Sequence, residues 1–395
     1  MLNLYRWFRR ELQTSDFLTW TFILFLAGFF FFPDDHLHRN FFYLFVILPF
    51  LFLFDPSVIR LYYKNEIVII SLGMLTYIGL SVLWTRNPEA STEAYYDTLR
   101  YFLMIGVFLT ITLYLAQKKG DLLEKTIFWA SLAASISAVI SILVFYRSHP
   151  FPGTRLEGIF WNDYLSYCIM PAVYYGFLGI GTIYRAQYED IYWKKIYFCS
   201  ISLVIIAFIL LTQSRGPFLA LVIALLTGFI LDKRWKLIGT ILLVGLGWLA
   251  LAEFGDTGIR GFISTGIPDR FAIWEVTLEQ IRESPWFGKG YLTNIQIFAN
   301  DQFWGHPHSM FLSLILKTGI LGGLLFLLLI AVFFIDAFRY YKEYGDWQYI
   351  AMLLFILIAT NSHKMRLFYK PAMSWLVFWL PITIMAVKVE KTRNG

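Results

Sequence analysis

The sequence predicts an all-α, polytopic membrane protein with about 12 transmembrane helices. Hydrophobic residues make up 58% of its 395 residues and charged residues only 15%, which leaves too little polar surface for a soluble domain of this size. A helix that crosses a bilayer needs about 20 mainly apolar residues, and about a dozen such runs follow one another along the chain. The composition therefore excludes the soluble globular classes, and we expect a single integral membrane domain over residues 1–395.

The apolar runs, taken in order, define the predicted spans. No small-residue cleavage site follows the first run, so we expect it to be kept as a helix rather than removed as a signal peptide. Between the ninth and tenth runs lies one long loop, residues 255–305, which is expected to contain short helices. The predicted spans are residues 17–32, 40–54, 67–84, 98–116, 126–146, 160–183, 196–211, 217–231, 237–254, 309–335, 347–361 and 372–387.

The distribution of positive charge orients these spans. Of the 33 Lys and Arg residues, 19 fall in the two termini and in the loops on the same side as the termini. The positive-inside rule makes that side cytoplasmic, so the loop 255–305 is predicted to face the periplasm from the bacterial inner membrane. On the outer side 10 of 14 cations are Arg, against 8 of 19 on the inner side. Arginine binds phosphate or carboxylate oxygens in pairs, so this bias indicates an anionic ligand outside.

The segment Leu211–Pro217 places polar and helix-breaking residues between two long apolar runs. Arg215 lies at the predicted membrane boundary, Pro217 suits the first position of the next helix, and Ser214 or Gly216 can lie near its cap. Free backbone N–H groups and the positive end of the helix dipole would then lie beside a guanidinium, which is a suitable site for a diphosphate. A tight helical hairpin whose arginine reaches the membrane interface explains the same residues equally well.

Two histidines, His306 and His308, precede the run that begins at residue 309. Neutral imidazole is the usual general base near pH 7, so His308 could deprotonate a hydroxyl group at the membrane surface, whereas a capping or interface histidine is the simpler alternative. Lys317 lies about two turns inside the same run, where a charge needs a partner, a lipid headgroup or a water-filled cavity. We take Lys317 to mark a cavity. No metal site is predicted here, because no carboxylate or cysteine cluster lies nearby in the sequence.

A sequence pattern within the long loop predicts a helix. Asp269 can cap a helix that ends near Ser284 and Pro285, and Arg270 lies at its N-terminal end. A solvated surface arginine is the alternative to a ligand-binding one at this position. One face of this helix is expected to be apolar and to lie on the membrane or over a cavity. The residues of that predicted stripe are Phe271, Trp274, Leu278 and Ile281.

The segment Gly153–Asp163 leads into the sixth predicted span. Its glycines, Arg155 and Asn162 indicate an ordered loop rather than a spacer. A simple turn that re-enters the membrane explains the segment about as well. Arg155 is therefore a candidate anion-binding residue with a structural alternative.

Three of these segments, in this order and spacing, resemble the superfamily of O-antigen ligases and O-antigen polymerases. The resemblance covers mainly residues 150–335 and implies a GT-C-like membrane glycosyltransferase that needs no metal or other cofactor. It implies a donor glycan linked to undecaprenyl diphosphate, an acceptor sugar in the periplasm, and no nucleotide or nucleic acid as partner. The segments are Thr212–Gly216, Arg270–Trp274 continuing to Pro285–Gly290, and Pro307–Ser309 before Thr318–Gly322.

The resemblance also implies roles for individual residues. Arg215 and Arg270 would hold the diphosphate, with Arg155 as a further binding residue, and His308 would take the proton from the acceptor hydroxyl in an inverting reaction. Many relatives have an acidic residue before the Thr-Gly pair, where this chain has Lys317, so the proton relay is left open. The weaker site candidates are Arg100, Arg86, His306 and Lys317.

Three alternatives stay open at the level of sequence. A ligase, whose acceptor is lipid A-core, is favoured over a polymerase that joins repeat units on the same carrier, because the long loop precedes the histidine run as one compact segment. A metal-dependent transferase would use Asp34, Asp35 and His36 as its site. A flippase or transporter of lipid-linked glycans is disfavoured, because charged residues other than Lys317 cluster at the ends of the spans.

Overall fold

The protein is described here by a computed structural model. It describes residues 11, 15–85, 91–158, 165, 168–254, 267–362 and 367–394. Arg86 lies outside the described residues. The helices are α1 (Phe17–Gly28), α2 (Asp35–Leu53), α3 (Ile59–Lys64), α4 (Glu66–Trp84), α5 (Thr92–Lys118), α6 (Leu122–Phe145), α7 (Ile169–Tyr188), α8 (Tyr192–Leu211), α9 (Arg215–Leu231), α10 (Trp235–Phe254), α11 (Ile267–Arg282), α12 (Met310–Tyr344), α13 (Gln348–Ala359) and α14 (Leu380–Asn394).

Helices dominate the described residues, as the composition predicts for an all-α, multi-pass membrane protein. A helix overlaps each of the twelve predicted apolar runs. Six helices, α2, α4, α5, α6, α8 and α12, are long and apolar enough to cross a membrane. Twelve crossings therefore stay a prediction.

By their contacts, the residues divide into two compact units. The first comprises residues 1–64, 107–214 and 371–395. Its helices pack through small residues and interhelical hydrogen bonds, as membrane helices do. The Ser202 hydroxyl of α8 donates to the Thr182 hydroxyl of α7 at 2.9 Å, and Tyr197 of α8 donates to the carbonyl of Phe128 in α6 at 2.6 Å. At Gly181 a Cβ would lie 2.6 Å from the side chain of Ile127, so α7 approaches α6 closely there.

The second unit comprises residues 65–106 and 215–370. Its longest helix, α12, is kinked at Gly319, whose φ of 71° and ψ of −176° are not helical. The loop 285–290 pairs with the backbone groups that the kink releases: Lys289 N–H donates to Leu316 O at 3.0 Å, and Ile320 N–H donates to Pro285 O at 2.7 Å. The loop therefore completes the hydrogen bonding of the broken helix.

Replacing Gly319 with alanine is expected to lower the free energy of unfolding by about 2–4 kcal/mol. Alanine disfavours a φ of 71°, and its Cβ would lie 2.1 Å from the carbonyl oxygen of Trp286, which is backbone and cannot move aside cheaply. Gly73→Ala in α4 is the matched control, because nothing lies within 4 Å of a Cβ there. Thermal unfolding in detergent measures both variants, and an equal midpoint for the two would contradict this account of the kink.

Helix α11 packs on a short antiparallel hairpin that was not predicted from the sequence. Strands β1 (Ile297–Ala299) and β2 (Gln302–Trp304) are joined by Asn300 and Asp301, both with positive φ, as a two-residue hairpin turn requires. The side chains of Ile295 and Ile297 form a buried cluster with Ile273 of α11 and Leu316 of α12. The hairpin thereby fixes the segment that leads to the two histidines.

The buried face of α11 differs from the predicted apolar stripe. Ile273 is 1% exposed and Thr277 is fully buried, whereas Phe271 and Leu278 of the predicted stripe are 63% and 46% exposed. The stripe was expected to lie on the membrane or over a cavity, and for these two exposed residues that stays a prediction. Two overlapping sets of apolar positions occur along α11, and the hairpin covers the set that includes Ile273. The sequence pattern alone could not identify the covered face.

Candidate active site

A cavity of about 300 Å³ in the second unit is lined by three of the eight candidate site residues. His306 and His308 line it together with Lys317. Three tyrosines also contribute to the wall, one each from α5, from the loop after residue 290 and from the segment before α14. The tyrosines are Tyr101, Tyr291 and Tyr369.

His308 is held in this cavity by its neighbours on both sides. The residue after it, Ser309, caps α12: its hydroxyl accepts from Leu312 N–H at 3.3 Å and donates to Asn361 Oδ1 at 2.7 Å. The residue before it, Pro307, accepts a hydrogen bond from the indole of Trp274 at 3.0 Å. His308 itself has φ 51°, a left-handed conformation that a residue with a side chain rarely adopts. Such backbone strain is maintained only where the surroundings fix it.

His306 contacts His308 directly. The two ring centroids are 4.0 Å apart, and the backbone N–H of His308 donates to Nδ1 of His306 at 3.3 Å. Nδ1 of His306 therefore acts as an acceptor, which leaves Nε2 as the nitrogen that carries the proton when the ring is neutral. The indole of Trp304 lies 5.3 Å from the His308 ring in an edge-on arrangement. His306 and Trp304 thus fix the position of the His308 imidazole.

The pKa of His308 is lowered from its ordinary value, first by burial and second by the positive charge of Arg270. Both causes disfavour the imidazolium form. His308 is therefore neutral at pH 7 and can accept a proton. Burial also lowers the pKa of Arg270, in the first turn of α11, but a guanidinium stays charged at any physiological pH.

Arg270→Gln is expected to raise the pKa of His308, because it removes the smaller of the two causes that lower it. The imidazole would then become protonated at a higher pH on acidification than in the unmodified protein. The rate at which diethyl pyrocarbonate modifies His308, followed by mass spectrometry across pH, reports the neutral fraction without any substrate. Arg270→Lys keeps the charge and serves as the control. The same apparent pKa in Arg270→Gln and in the unmodified protein would remove Arg270 from the electrostatics of His308.

Lys317 lies in α12 on the wall of the cavity, two residues before the kink. Its Nζ is 5.0 Å from the centroid of the Tyr291 ring, which places the ammonium against an aromatic face. The hydroxyl of Tyr291 donates to the carbonyl of Phe368, and so its ring is fixed. The carbonyl of Lys317 accepts from Gly290 N–H at 2.8 Å, which ties the same turn of α12 to the preceding loop.

Arg155 belongs to the first unit and contacts the turn that precedes Arg215 in the chain. Its Nε donates to the carbonyl of Thr212 at 3.2 Å, and a second guanidinium nitrogen lies 3.4 Å from the Ser214 hydroxyl. Gln213 of this turn, with φ 48°, donates to the carbonyl of Pro152 at 3.0 Å. Residues 153–158 of the segment that carries Arg155 therefore hold this turn, and Asn162 lies outside the described residues.

Arg215 is the first residue of α9. The sequence placed Pro217 at the first helical position, but the helix begins two residues earlier, so Pro217 is its third residue. Proline is tolerated there, because the first turn has free N–H groups in any case. Ser214 does not simply cap the helix, since its hydroxyl donates to the carbonyl of Cys168 at 3.1 Å.

Among the described residues, the other candidates do not line the cavity. Arg100 pairs with Asp97 at 2.8 Å, one turn away on α5, and lies 5.6 Å from the ring of Tyr101. Within the second unit, His306, His308 and Lys317 share the cavity, and Arg270 acts on His308 through its charge. Arg215 begins the second stretch of that unit, residues 215–370, and Arg155 belongs to the first unit.

Helix capping accounts for Asp34, one of the acidic pair that a metal-dependent transferase would use. Oδ1 of Asp34 accepts from Leu37 N–H at 2.7 Å and caps α2. Nδ1 of His36 accepts from the Arg39 guanidinium at 2.8 Å, so this ring nitrogen is engaged as well. Across the described ranges, no group of three His, Cys, Asp or Glu residues is arranged to hold a metal ion.

The tyrosines of the cavity could not be identified from the sequence. Tyr291 directly follows the loop 285–290, so its neighbourhood was singled out but not the residue itself. Tyr101 and Tyr369 come from distant parts of the chain and have no spacing that sets them apart from the other tyrosines. No sequence pattern indicated Asn361, which orients the Ser309 cap.

Comparison with known proteins agrees with the resemblance. A family profile described as O-antigen ligase matches residues 200–327, the stretch that contains Arg215, Arg270, His308 and Lys317. The chain is 27% identical over 372 residues to an O-antigen ligase from Pseudomonas aeruginosa, across 91% of this chain and 87% of that protein. The profile covers the candidate site and the relative covers almost the whole length, so in both comparisons this chain is similar to O-antigen ligases.

Proposed function

We propose that this protein transfers a glycan from undecaprenyl diphosphate to a sugar of lipid A-core during lipopolysaccharide biosynthesis. The observation that carries the proposal is His308, a half-buried imidazole with a lowered pKa on the wall of a cavity, with Arg270 acting on it. A neutral base and a fixed cation are the two groups that such a transfer needs. The names of the matching family and of the relative support the same reaction.

In the proposed reaction, His308 takes the proton of the acceptor hydroxyl. The acceptor oxygen then forms a bond to the anomeric carbon on the face opposite the diphosphate. The bond between that carbon and the diphosphate oxygen breaks, and undecaprenyl diphosphate leaves with the electron pair. A single displacement of this kind inverts the anomeric centre. The proton remains on His308, and the nearby charge of Arg270 favours its release afterwards.

Arg215 and Arg270 are proposed to neutralise the leaving diphosphate, with Arg155 as a further or supporting group. Arginine offers paired donors for phosphate oxygens, and Arg215 also lies at the N-terminus of a 17-residue helix, where the dipole favours an anion. Two guanidinium groups can supply the charge that a divalent ion supplies in other transferases, so we propose a metal-independent reaction. The hydrogen bonds of Arg155 suit a residue that holds the Arg215 turn in place.

The proposed site faces the periplasm from the inner membrane, with both termini in the cytoplasm. The bias of Lys and Arg toward the termini and their companion loops supports this orientation. The donor and the acceptor are both lipids, so both can reach the site from the membrane.

Transfer by the purified protein tests the proposal directly. We expect lipid A-core to gain glycan from an undecaprenyl-diphosphate-linked donor, with full activity in a chelator and with the opposite anomeric configuration in the product. Elongation of the donor on its carrier, without modification of lipid A-core, would identify a polymerase instead. Movement of the donor across a vesicle membrane without any new glycosidic bond would identify a flippase. Loss of activity in the chelator would contradict the metal-independent mechanism.

A further inference from the structure

The cavity carries an array of aromatic rings and cations that the proposed transfer step does not use. Lys317 lies over the ring of Tyr291 at 5.0 Å, and Lys370 lies over the ring of Tyr369 at 5.5 Å. The rings of Tyr369 and Tyr101 are 5.3 Å apart. All three tyrosines line the cavity, so two lysine–tyrosine pairs and a third ring surround the same space.

The charge of this wall has one sign. Lys317 carries a positive charge on this wall, and the described residues of the lining include no Asp or Glu. Burial lowers the pKa of Lys370, which lies beside the wall residue Tyr369, and a bound anion would restore the pKa. The site is therefore suited to a ligand with negative charge.

The other groups of the wall suit a saccharide. A tyrosine ring offers an apolar face on which the C–H face of a sugar can rest, together with a polar hydroxyl. Thr293, Asn294 and Ser313 add side chains that can both donate and accept hydrogen bonds. A few polar groups among aromatic rings is the usual composition of a small-molecule site, and the volume of about 300 Å³ is at the lower end of the usual range.

We infer that this cavity is the acceptor subsite, and that Lys317 pairs there with a phosphate or carboxylate group on the acceptor saccharide while Tyr291 and Tyr369 hold its sugar rings. The inference rests on the proposed function and extends it to the acceptor. The acceptor is assigned rather than the donor because His308, which must contact the acceptor hydroxyl, lines the same cavity as Lys317.

Binding and transfer measurements with altered acceptors test the inference. The probes are lipid A-core as isolated, the same lipid after removal of its phosphate esters, and the same lipid after reduction of its carboxyl groups. We expect Lys317→Met to raise Kd and KM for the isolated lipid about tenfold, as expected for the loss of one charge-assisted contact, with the KM for the donor unchanged. Lys317→Arg should retain most of the affinity. One of the two altered lipids should bind the unmodified protein as weakly as the isolated lipid binds Lys317→Met, and this lipid identifies the anionic group.

Several outcomes would overturn the inference. One is equal binding of all three lipids by the unmodified protein and by Lys317→Met. Another is weaker competition by undecaprenyl diphosphate in Lys317→Met with acceptor binding unchanged, because Lys317 would then belong to the donor site. Charge-selective acceptor binding without any transfer would contradict the proposed function and leave the acceptor subsite intact. Tyr291→Leu, which removes the ring but keeps Lys317, should weaken binding of all three lipids, and unchanged binding would contradict the role of the ring.

Discussion

Replacing His308 with glutamine is expected to lower kcat for glycan transfer by about 10²–10⁴-fold, with little change in the KM of either substrate. Glutamine retains much of the size and polarity of histidine but cannot accept a proton at neutral pH. The base is needed only as the acceptor oxygen forms its new bond, so its loss is expected to affect the chemical step and not binding. Steady-state rates with purified protein, together with the thermal unfolding midpoint, separate lost chemistry from lost folding.

His36→Gln is the matched control for this substitution. His36 is exposed, belongs to the other compact unit and engages Arg39 on its own helix, so its loss should leave kcat unchanged. The two substitutions also test the metal-dependent alternative, in which His36→Gln should lower kcat and His308→Gln should not. Partial rescue of His308→Ala by added imidazole would support the role as a base. Activity of His308→Gln within tenfold of the unmodified protein would assign His308 a structural role only.

The helices could be predicted from hydropathy, but not their ends. The run predicted at 309–335 is a helix that continues to Tyr344, because Ala337, Arg339, Lys342 and Glu343 are good helix formers although three of them are charged. The first run was predicted to end at residue 32, and α1 ends at Gly28. Hydropathy indicates which residues can lie inside the membrane. Where a helix begins and ends depends on other properties of the sequence.

The kink at Gly319 shows what a local pattern cannot contain. Gly319 lies in an apolar run that reads as continuous helix, and a glycine there could equally allow close packing. What determines the kink is the loop 285–290, about thirty residues earlier, whose N–H and C=O groups pair with the broken turn. Both segments carried the resemblance to the family, and their mutual hydrogen bonds give a physical reason why they occur together.

Some features of the candidate site could be predicted from the sequence and others could not. His306, His308 and Lys317 could be selected from the sequence because a titratable group next to or inside an apolar run is unusual. The strained backbone of His308 and the wall of tyrosines could not, because they depend on contacts between segments far apart in the chain. Arg155 was selected as an anion-binding residue, and its hydrogen bonds to the 212–214 turn became visible only in the structure.

The second large effect is expected at Arg215. Arg215→Gln should lower kcat/KM for the donor by about 10²–10³-fold, as expected for removal of one group that stabilises charge in the transition state. Negative charge grows on the diphosphate as the bond to the anomeric carbon breaks, and a guanidinium at the helix N-terminus opposes that charge with both its own charge and the helix dipole. Arg215→Lys keeps the charge but not the paired donors, so an intermediate loss is expected.

Arg234→Gln is the matched control, because Arg234 follows the C-terminal end of the same helix and pairs with Asp232 at 2.7 Å. An exposed ion pair of this kind contributes little to stability, and activity should be unchanged. The acceptor KM is the second internal control, since an arginine that serves only the leaving group should not alter it. If Arg215→Gln raised the acceptor KM and left the donor parameters intact, the diphosphate would have to be bound elsewhere. Arg270 would then be the remaining guanidinium with a link to the base, and the fall in kcat/KM would be expected at Arg270 instead.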